Sequence, residues 1–534
     1  MSQAQTWAKQ VLAATRQVRT RQVGAIPVFY PILRGLGIRE LVNAKCHRRT
    51  SIDLGRIAEI LTLNRLLAPQ PLYHVGRWVE QTIVGQMFSV RGSQLYDSRL
   101  GRALDALFPE LEALWTQLTV RAVRQEQADL SIIHWDTTTF YFEGAYAQSD
   151  FARYGHSSDG KSECKRAKIG YDVTHLAHLP FVYRLLNGNA ADITLPVENL
   201  ERIWRFLFQA DLDPAVVRPL IVSDGKMVTP ALVAAAHQRE VFYLGPWEAS
   251  DAVRKTLREV SAEELARHPL PYRPKRQAKA ADWVPYQAVW RPFTVTYEER
   301  QFTDHGLVVW SANKQRLDEQ KRKHHLKALL NRLREIQQHL NQGRYIRHAY
   351  ADHQIKLAQR GNPARQLVDV ELRGQDRALS LHFAINRTKL AEVAALDGRY
   401  LLGTNHPHLT ATQALTYFKG QDGIEKRNRL LKGTLQVRPV YLQNDQRIAG
   451  LVFFTMVALL LWSILELRCQ RAGLRYSGQR ILDEFAPLSV SDLTFVDDSR
   501  LCQIGDMSSF QQAVLDGLHF PPVESYLTIL PPNG

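Results

Sequence analysis

Residues 130–144 have the sequence LSIIHWDTTTFYFEG, in which β-branched and aromatic residues predominate. This composition is typical of a β-strand, because such side chains pack well on a pleated surface. Residues 168–188, KIGYDVTHLAHLPFVYRLLNG, predict two further strands joined as a hairpin. Beyond them, short apolar runs at 218–224 and 241–247 alternate with helical patterns. Together these patterns predict an α/β fold with a mixed sheet covered by helices.

The surrounding sequence divides the chain of 534 residues into five predicted segments. The N-terminal segment begins with a basic stretch, which is either a DNA-binding module or a solvated helical face. The third segment interrupts the sheet domain and includes a long polar helix. The five segments are an N-terminal helical domain (1–125), the first part of the sheet domain (126–247), a large and mostly β insertion (248–395), the second part of the sheet domain (396–480) and a C-terminal tail (481–534).

The charge balance favours a polyanionic partner. Lys and Arg outnumber Asp and Glu by 68 to 53, so the net charge is +15. An excess of this size is attracted to phosphates over a long range. The composition, 45% apolar and 23% charged, excludes a disordered chain, a collagen and a coiled-coil rod.

The cysteines and the apolar segments indicate a cytoplasmic protein. The four cysteines include no C-x-x-C pair, which excludes a zinc ribbon and predicts a reducing compartment. The first twenty residues have no apolar core like that of a signal peptide. Residues 448–465 are uncharged and just long enough to cross a bilayer. We expect them to form a buried core helix, and we expect no membrane partner.

One candidate site is a phosphate loop. Residues 155–162, GHSSDGKS, fit the pattern G-x-x-x-x-G-K-[ST]. Such a loop works only where it leaves a buried strand and opens a helix, because its N–H groups must surround a phosphate. Here the preceding residues are not a buried strand, and the following residues, KRAKIGYDVT, predict a strand. The context therefore disfavours an NTPase.

A second candidate site consists of three separated carboxylates. Asp136 ends the apolar run SIIHW, Asp224 ends the apolar run PLIVS, and Glu425 lies on a predicted helix. Three such acids can hold two Mg²⁺ ions about 4 Å apart, which assist phosphoryl transfer. Arg429 and Lys432 share the helical face of Glu425. They either contact a phosphate backbone or form an ordinary surface salt-bridge ladder.

Residues 418–432 also carry a signature-like spacing. Phe418, Gln421, Glu425 and Lys432 stand where the DDE transposases of bacterial insertion sequences, in the insertion-sequence-four-type group, have Tyr, Arg, Glu and Lys. Glu and Lys match, whereas Phe replaces Tyr and Gln replaces Arg; Lys419 or Arg427 is a candidate substitute for the lost charge. The chain resembles this family in further segments, in the same order: HWDTTTFYFEG, YGHSSDGKSECK, LNGNAADITL, IVSDGKMVTPALV and LKGTLQVRPVYLQNDQRIAGLVFF.

The resemblance implies a ribonuclease H-like mixed sheet with Asp136 on its first strand and Asp224 after its fourth. It implies that Asp136, Asp224 and Glu425 are catalytic and hold two Mg²⁺ ions, with Mn²⁺ as an alternative. The implied activity is cutting at terminal inverted repeats and joining of the 3′-OH ends to target DNA. The implied partners are transposon-end and target DNA, with at least a dimer in the paired-end complex and no small-molecule cofactor. The DNA-contacting residues would be Lys432, Arg429, Gln421, Phe418 and Arg427.

Three alternatives remain open at this point. A decayed or domesticated copy would bind DNA without cutting it, and the two replaced signature residues motivate that reading. A structure-specific nuclease would cut DNA without joining it. The P-loop NTPase is the alternative from a different class.

Overall fold

The computed structural model describes residues 13–46, 50–155, 163–190, 195–224, 227–272, 284–437 and 442–527. The chain forms two compact units. The first comprises Met1–Ser223, Arg239–Val241 and Gly420–Gly534, and the second comprises Asp224–Gln238 and Phe242–Lys419. This division into two units differs in kind from the five predicted segments, whose bounds stay predictions.

The first unit begins with a strand and a group of helices. Strand β1 spans Thr15–Gln22. The Asp53 side chain caps the helix Leu54–Leu67 by accepting a hydrogen bond from the Arg56 N–H. The helices of this region are Ile26–Leu36, Ile38–Lys45, Leu54–Leu67, Leu72–Gln81, Val84–Met87, Asp97–Leu107 and Leu111–Gln125.

Four strands form the sheet of the first unit. They are β2 (Ile132–Tyr141), β3 (Arg166–Thr174), β4 (Pro180–Asn187) and β5 (Leu220–Val222), and they pair in the order β4-β3-β2-β5. β2 is antiparallel to β3 and parallel to β5, and β3 is antiparallel to β4. The predicted fold class, an α/β ribonuclease H-like mixed sheet, is confirmed. Thus β2, the first strand of this sheet in the chain, lies between β3 and β5.

The remaining elements of the first unit lie between β4 and β5 or follow the second unit in the chain. The helices are Leu195–Gln209, Pro214–Val217, Asp422–Lys432, Asp445–Arg471, Gly478–Phe485 and Ser509–Gly517. Strands β13 (Ser489–Phe495) and β14 (Arg500–Ile504) form a small antiparallel sheet with β1 in the order β1-β13-β14.

The helix Asp445–Arg471, here named the core helix, forms the centre of the first unit. It packs against β4 and against helices that include Ile26–Leu36, Leu54–Leu67, Asp97–Leu107 and Leu111–Gln125. Among the described residues it is the one helix long and apolar enough to cross a membrane, yet 89% of its most apolar window is buried in the protein. The prediction of a buried core helix is therefore confirmed.

The second unit contains five paired strands and a smaller cluster. Strands β6 (Phe242–Pro246), β7 (Pro269–Leu270), β8 (Tyr286–Tyr297), β9 (Arg300–Ser311) and β12 (Arg399–Thr404) pair in the order β6-β12-β9-β8-β7. β10 (Val368–Arg373) and β11 (Ser380–Ile385) form a separate hairpin. The helices are Pro230–Gln238, Asp251–Arg258, Ala262–Ala266, Ala312–His339, His348–Gln359, Arg387–Ala394 and Ala411–Lys419.

The segment predicted as a mostly β insertion contains more helix than strand. Its long helix spans Ala312–His339. Leu329, Leu333 and Ile336 on this helix are almost fully buried in a cluster with His348–Gln359 and the β10–β11 hairpin. A leucine stripe within a charged sequence therefore builds a local apolar core.

Candidate active site

Asp136 lies on β2, just beyond the part of that strand that pairs with β5. The last β2–β5 pair joins His134 and Val222, and Asp136 follows two residues later. The strand continues to Tyr141, and Asp136 pairs with Tyr171 of the antiparallel neighbour β3. Asp136 is half-buried, and its Oδ1 accepts a hydrogen bond from the Thr137 N–H at 2.7 Å.

The helix Asp422–Lys432, here named the Glu425 helix, is tied to this sheet by side chains. The Asn428 Nδ2 donates to Asp136 Oδ2 at 2.8 Å, across 292 positions of sequence. The Tyr171 hydroxyl donates to Asn428 Oδ1 at 2.7 Å and lies 3.3 Å from the Ile424 carbonyl oxygen. Burial raises the pKa of Tyr171 well above its usual range, and the charge of Asp136 acts in the same direction. The hydroxyl therefore remains a donor.

Gln421 ties the start of the same helix to the ends of two strands. Its Nε2 donates to the Val222 carbonyl oxygen at 3.0 Å and lies 3.5 Å from the carbonyl oxygen of Trp135. Its Oε1 is buried and has no hydrogen-bond partner among the described residues. The residue that replaces the signature Arg thus anchors the helix to β2 and β5.

A histidine lies directly beneath the first turn of the Glu425 helix. A Cβ atom added at Gly423 would lie 2.0 Å from the His178 ring, so this position leaves room for glycine alone. Burial, followed by the charge of Arg427, lowers the pKa of His178 to about 4. Burial also lowers the pKa of His134 to about 3, and His134 Nε2 lies 2.7 Å from His175 Nδ1. These imidazoles are neutral near pH 7 and serve as packing groups.

Arg427 points into the protein from the Glu425 helix. Its Nη1 donates to Glu466 Oε2 of the core helix at 2.7 Å. Its other nitrogens lie 3.3 Å from the carbonyl oxygens of His178 and Ala177. The prediction that Arg427 contacts DNA stays a prediction, but its guanidinium is buried and hydrogen-bonded within the first unit.

The other predicted DNA-contacting residues are more accessible. Arg429 is exposed and lies 3.9 Å from the Asp422 carboxylate, and Lys432 is half-buried at the end of the Glu425 helix. Phe418 belongs to the second unit, where its ring lies 6.1 Å from that of Tyr400. Lys419 lies over the Phe418 ring at 5.5 Å. Phe418 therefore packs as an aromatic and offers no hydrogen bond to phosphate.

Two of the three predicted carboxylates belong to the first unit. Glu425 is exposed on the helix that Asn428 ties to Asp136. Asp224 is exposed and opens the second unit, two residues after Val222 in the chain. The structure therefore brings the elements of Asp136 and Glu425 together, and it places Asp224 at the start of the other unit.

The candidate metal ligands of the first unit are of the chemical type that a hard cation prefers. Asp136 and Glu425 offer carboxylate oxygens, which Mg²⁺ prefers, and Mg²⁺ keeps several waters so that few protein ligands suffice. Each Asp136 oxygen accepts one of the hydrogen bonds given above, and a carboxylate oxygen that accepts a hydrogen bond can also bind a cation. Within the described ranges, no group of three or more His, Cys, Asp or Glu side chains converges tightly enough to hold a metal ion.

Sequence reasoning did not find Asn428 and Tyr171. Asn428 follows Glu425 by three residues, so helical spacing alone could have placed it on the same face. Tyr171 carries no such signal, because its position opposite Asp136 depends on the register of β3.

The phosphate-loop match does not open a helix. Residues 156–162 lie outside the described residues, but β3 begins at Arg166, shortly after the match. Strand rather than helix therefore follows, as the sequence predicts. The condition for a phosphate loop is not met.

Comparisons with known proteins give distant similarities. Residues 18–120 match the family model of a domain of unknown function (DUF4277). No curated protein matches the sequence. A piggyBac transposase in a synaptic complex with hairpin DNA has a TM-score of 0.40 and 8% identity, covering 86% of this chain and 78% of that one.

Two complexes of the Mos1 transposase are also similar over part of the chain. The paired-end complex with the left transposon end has a TM-score of 0.15 and 10% identity, covering 36% of this chain and 59% of that one. The Mos1 mariner paired-end complex with Mn has a TM-score of 0.15 and 11% identity, covering 36% of this chain and 58% of that one.

Proposed function

We propose that this protein is a DDE transposase of a DNA insertion sequence, which cuts at terminal inverted repeats and joins the 3′-OH ends to target DNA. The observation that carries the proposal is the hydrogen bond from Asn428 to Asp136. It links the strand of the first predicted acid to the helix of the third, although the two are far apart in sequence. A ribonuclease H-like sheet and a net charge of +15 agree with a phosphodiester substrate.

The third acid of the proposed set is Asp224, and the strand register within the first unit supports its inclusion. β2 and β5 are parallel neighbours, and His134 lies opposite Val222. Asp136 and Asp224 each follow two residues later in the chain. Acids that follow neighbouring parallel strands at the same level are typical of sites in α/β sheets. In the proposed function Asp136, Asp224 and Glu425 would hold divalent metal ions, and the chemistry supplied by such ions would be activation of the attacking oxygen and stabilisation of the leaving oxygen.

The remaining residues of the site bind and orient the DNA. Arg429 and Lys432 lie one and two turns after Glu425, and in this proposal they contact phosphates near the cut. Asn428 and Gln421 hold the helix on the sheet, so that Glu425 keeps a fixed distance from β2. The DNA partners in this proposal are the element ends and the target, with at least a dimer to pair the ends.

The direct test is metal-dependent cleavage of DNA that carries the repeats flanking the gene, in Mg²⁺ or Mn²⁺. We expect cleavage at the repeat ends in the wild type and its loss in Asp136→Asn, Asp224→Asn and Glu425→Gln. Asp516→Asn, an exposed carboxylate on the helix Ser509–Gly517, is the matched control and should retain activity. Cleavage that survives in Asp136→Asn and Glu425→Gln would contradict the site.

A second candidate function is DNA binding without cleavage. It is favoured by Phe418 and Gln421, which replace two signature residues and are used for internal packing and hydrogen bonding. Tight binding to the repeats without cleavage under any metal condition would support it. The variant Lys161→Ala distinguishes both candidates from an NTPase. It should abolish an NTPase activity, whereas it should leave DNA cleavage and DNA binding unchanged.

A further inference from the structure

A chain of three side chains crosses from β3 to β2 by way of the Glu425 helix. Asp136 and Tyr171 are directly opposite each other in the antiparallel pair, so their side chains lie on the same face of the sheet. Asn428 bridges them, with 2.7 Å from its Oδ1 to the Tyr171 hydroxyl and 2.8 Å from its Nδ2 to Asp136 Oδ2. The relay Tyr171–Asn428–Asp136 therefore runs within one unit.

The hydroxyl of Tyr171 determines which way the Asn428 amide faces. A carboxylate accepts hydrogen bonds and does not donate them, so it binds the NH₂ group of the amide and repels the oxygen. The Tyr171 hydroxyl donates to the amide oxygen and holds it on the far side. Tyr171 is fully buried, so a competing water does not replace this donor.

Both oxygens of the Asp136 carboxylate are held by hydrogen bonds. Asn428 contacts Oδ2, and the Thr137 N–H contacts Oδ1. A carboxylate oxygen has two lone pairs, so it can accept a hydrogen bond and bind a metal ion at the same time. Because Asn428 and Glu425 are three residues apart on one helix, the same bond that orients Asp136 also sets its distance from the Glu425 backbone.

We propose that Asn428, oriented by Tyr171, is a positioning residue that aims the Asp136 carboxylate toward the metal and phosphate side of the site. This inference rests on the proposed function, and it assigns to Asn428 a role that acts through Asp136. Groups that orient a metal-ligating carboxylate change metal affinity by about 10–100-fold when removed. Removing Asn428 should therefore weaken metal binding more than it weakens folding.

The experiment uses the full chain and two readouts. Mn²⁺ binding to the protein without DNA is followed by electron paramagnetic resonance, and cleavage of repeat DNA is measured over a range of Mn²⁺ concentrations. The Mn²⁺ binding that is lost in Asp136→Asn is the binding that depends on the site. Lys426→Gln, on the exposed side of the same helix and paired with Asp422, is the matched control.

We expect Asn428→Ala to raise the Mn²⁺ concentration for half-maximal binding at least about tenfold, with the cleavage rate largely recovered at saturating Mn²⁺. Tyr171→Phe, which preserves the ring and is the milder change, should give a smaller increase. The double variant should bind no more weakly than Asn428→Ala alone, because Tyr171 acts through Asn428. Lys426→Gln should match the wild type.

Several outcomes overturn the inference. They are wild-type Mn²⁺ affinity in a folded Asn428→Ala protein, additive effects of the two changes, or a lower melting temperature with unchanged Mn²⁺ affinity. Absence of Asp136-dependent Mn²⁺ binding in the wild type also overturns it. If Mn²⁺ binding depends on Asp136 and Asn428 but repeat DNA is not cut, the proposed function fails while the positioning role stands.

Discussion

Arg427 and Glu466 form an ion pair that joins the Glu425 helix to the core helix. The Nη1 to Oε2 distance is 2.7 Å, and the Arg427 side chain is 7% exposed. Glu466 also accepts hydrogen bonds from the Trp462 indole and from the Gly478 N–H. The position of the predicted catalytic helix is thus stabilised by an ion pair between the buried Arg427 and the half-buried Glu466.

Replacing Arg427 with Met should lower the free energy of unfolding by about 3 kcal/mol, because it leaves Glu466 without its counter-charge. Burial acts to raise the pKa of Glu466, but the Arg427 charge and the hydrogen bonds from Gly478 and Trp462 hold it below its usual value. This stabilisation is present above the unfolded carboxyl pKa and is lost as the pH falls through the lowered folded pKa.

Urea unfolding at pH 7 and at successively lower pH measures this effect. The difference between wild type and Arg427→Met should shrink in acid. Arg429→Met, an exposed change on the same helix, should alter stability by less than about 0.5 kcal/mol. Equal losses for the two variants would contradict the ion-pair account.

His178 should make the protein less stable as the pH falls. Its folded pKa is about 4 because burial, then Arg427, disfavours the charged ring, whereas the unfolded value is 6.5. The stability it contributes is complete above pH 6.5 and declines as the pH falls toward 4, by up to about 3 kcal/mol. His178 has φ +48°, a conformation that Asn tolerates. His178→Asn should therefore show a flatter decline between those pH values than the wild type.

The same series of unfolding curves includes the exposed His353→Asn as a control. Its pH dependence should follow the wild type. If His178→Asn also follows the wild type, the buried neutral imidazole is not a source of acid sensitivity.

Gly423→Ala should destabilise the protein by about 1–3 kcal/mol, because the added Cβ would meet the buried His178 ring. Combining it with His178→Asn should cost less than the sum of the two single changes, since the smaller side chain makes room. Thermal unfolding of the four proteins completes the cycle. Gly35→Ala, where a Cβ meets no atom within 4 Å, should be neutral or stabilising by up to about 1 kcal/mol.

Charge at the two ends of the Glu425 helix should control the salt dependence of DNA binding. Arg429→Gln should reduce the slope of log affinity against log salt by about 0.9, the value for one phosphate contact. Gln421→Arg should raise it by a similar amount, because the new guanidinium can donate to the carbonyl oxygens that Gln421 contacts and still face phosphate. Fluorescence anisotropy with repeat DNA from low to moderate salt measures both. Unchanged slopes would place the DNA elsewhere on the protein.

The sequence by itself determined the secondary-structure patterns and the sheet class. The β-branched run at 130–144, the hairpin after it and the apolar run at 448–465 each carry a local period, which depends only on neighbouring residues. For that reason the mixed sheet and the buried core helix could be predicted, as could the failure of the phosphate-loop context. The candidate acids were also found from sequence, through strand ends and a resemblance.

Tertiary structure alone decided the partners of those acids. The contacts of Asp136 with Asn428 and of Arg427 with Glu466 join residues that no local period relates. Arg427 and Arg429 lie two positions apart and have the same chemistry, but one is buried and the other is exposed. The two arginines differ in burial because they lie on different faces of the Glu425 helix, and only one face packs on the sheet. That choice is made by the register of β3 and by the space at Gly423, because the helix can approach only where no Cβ meets His178.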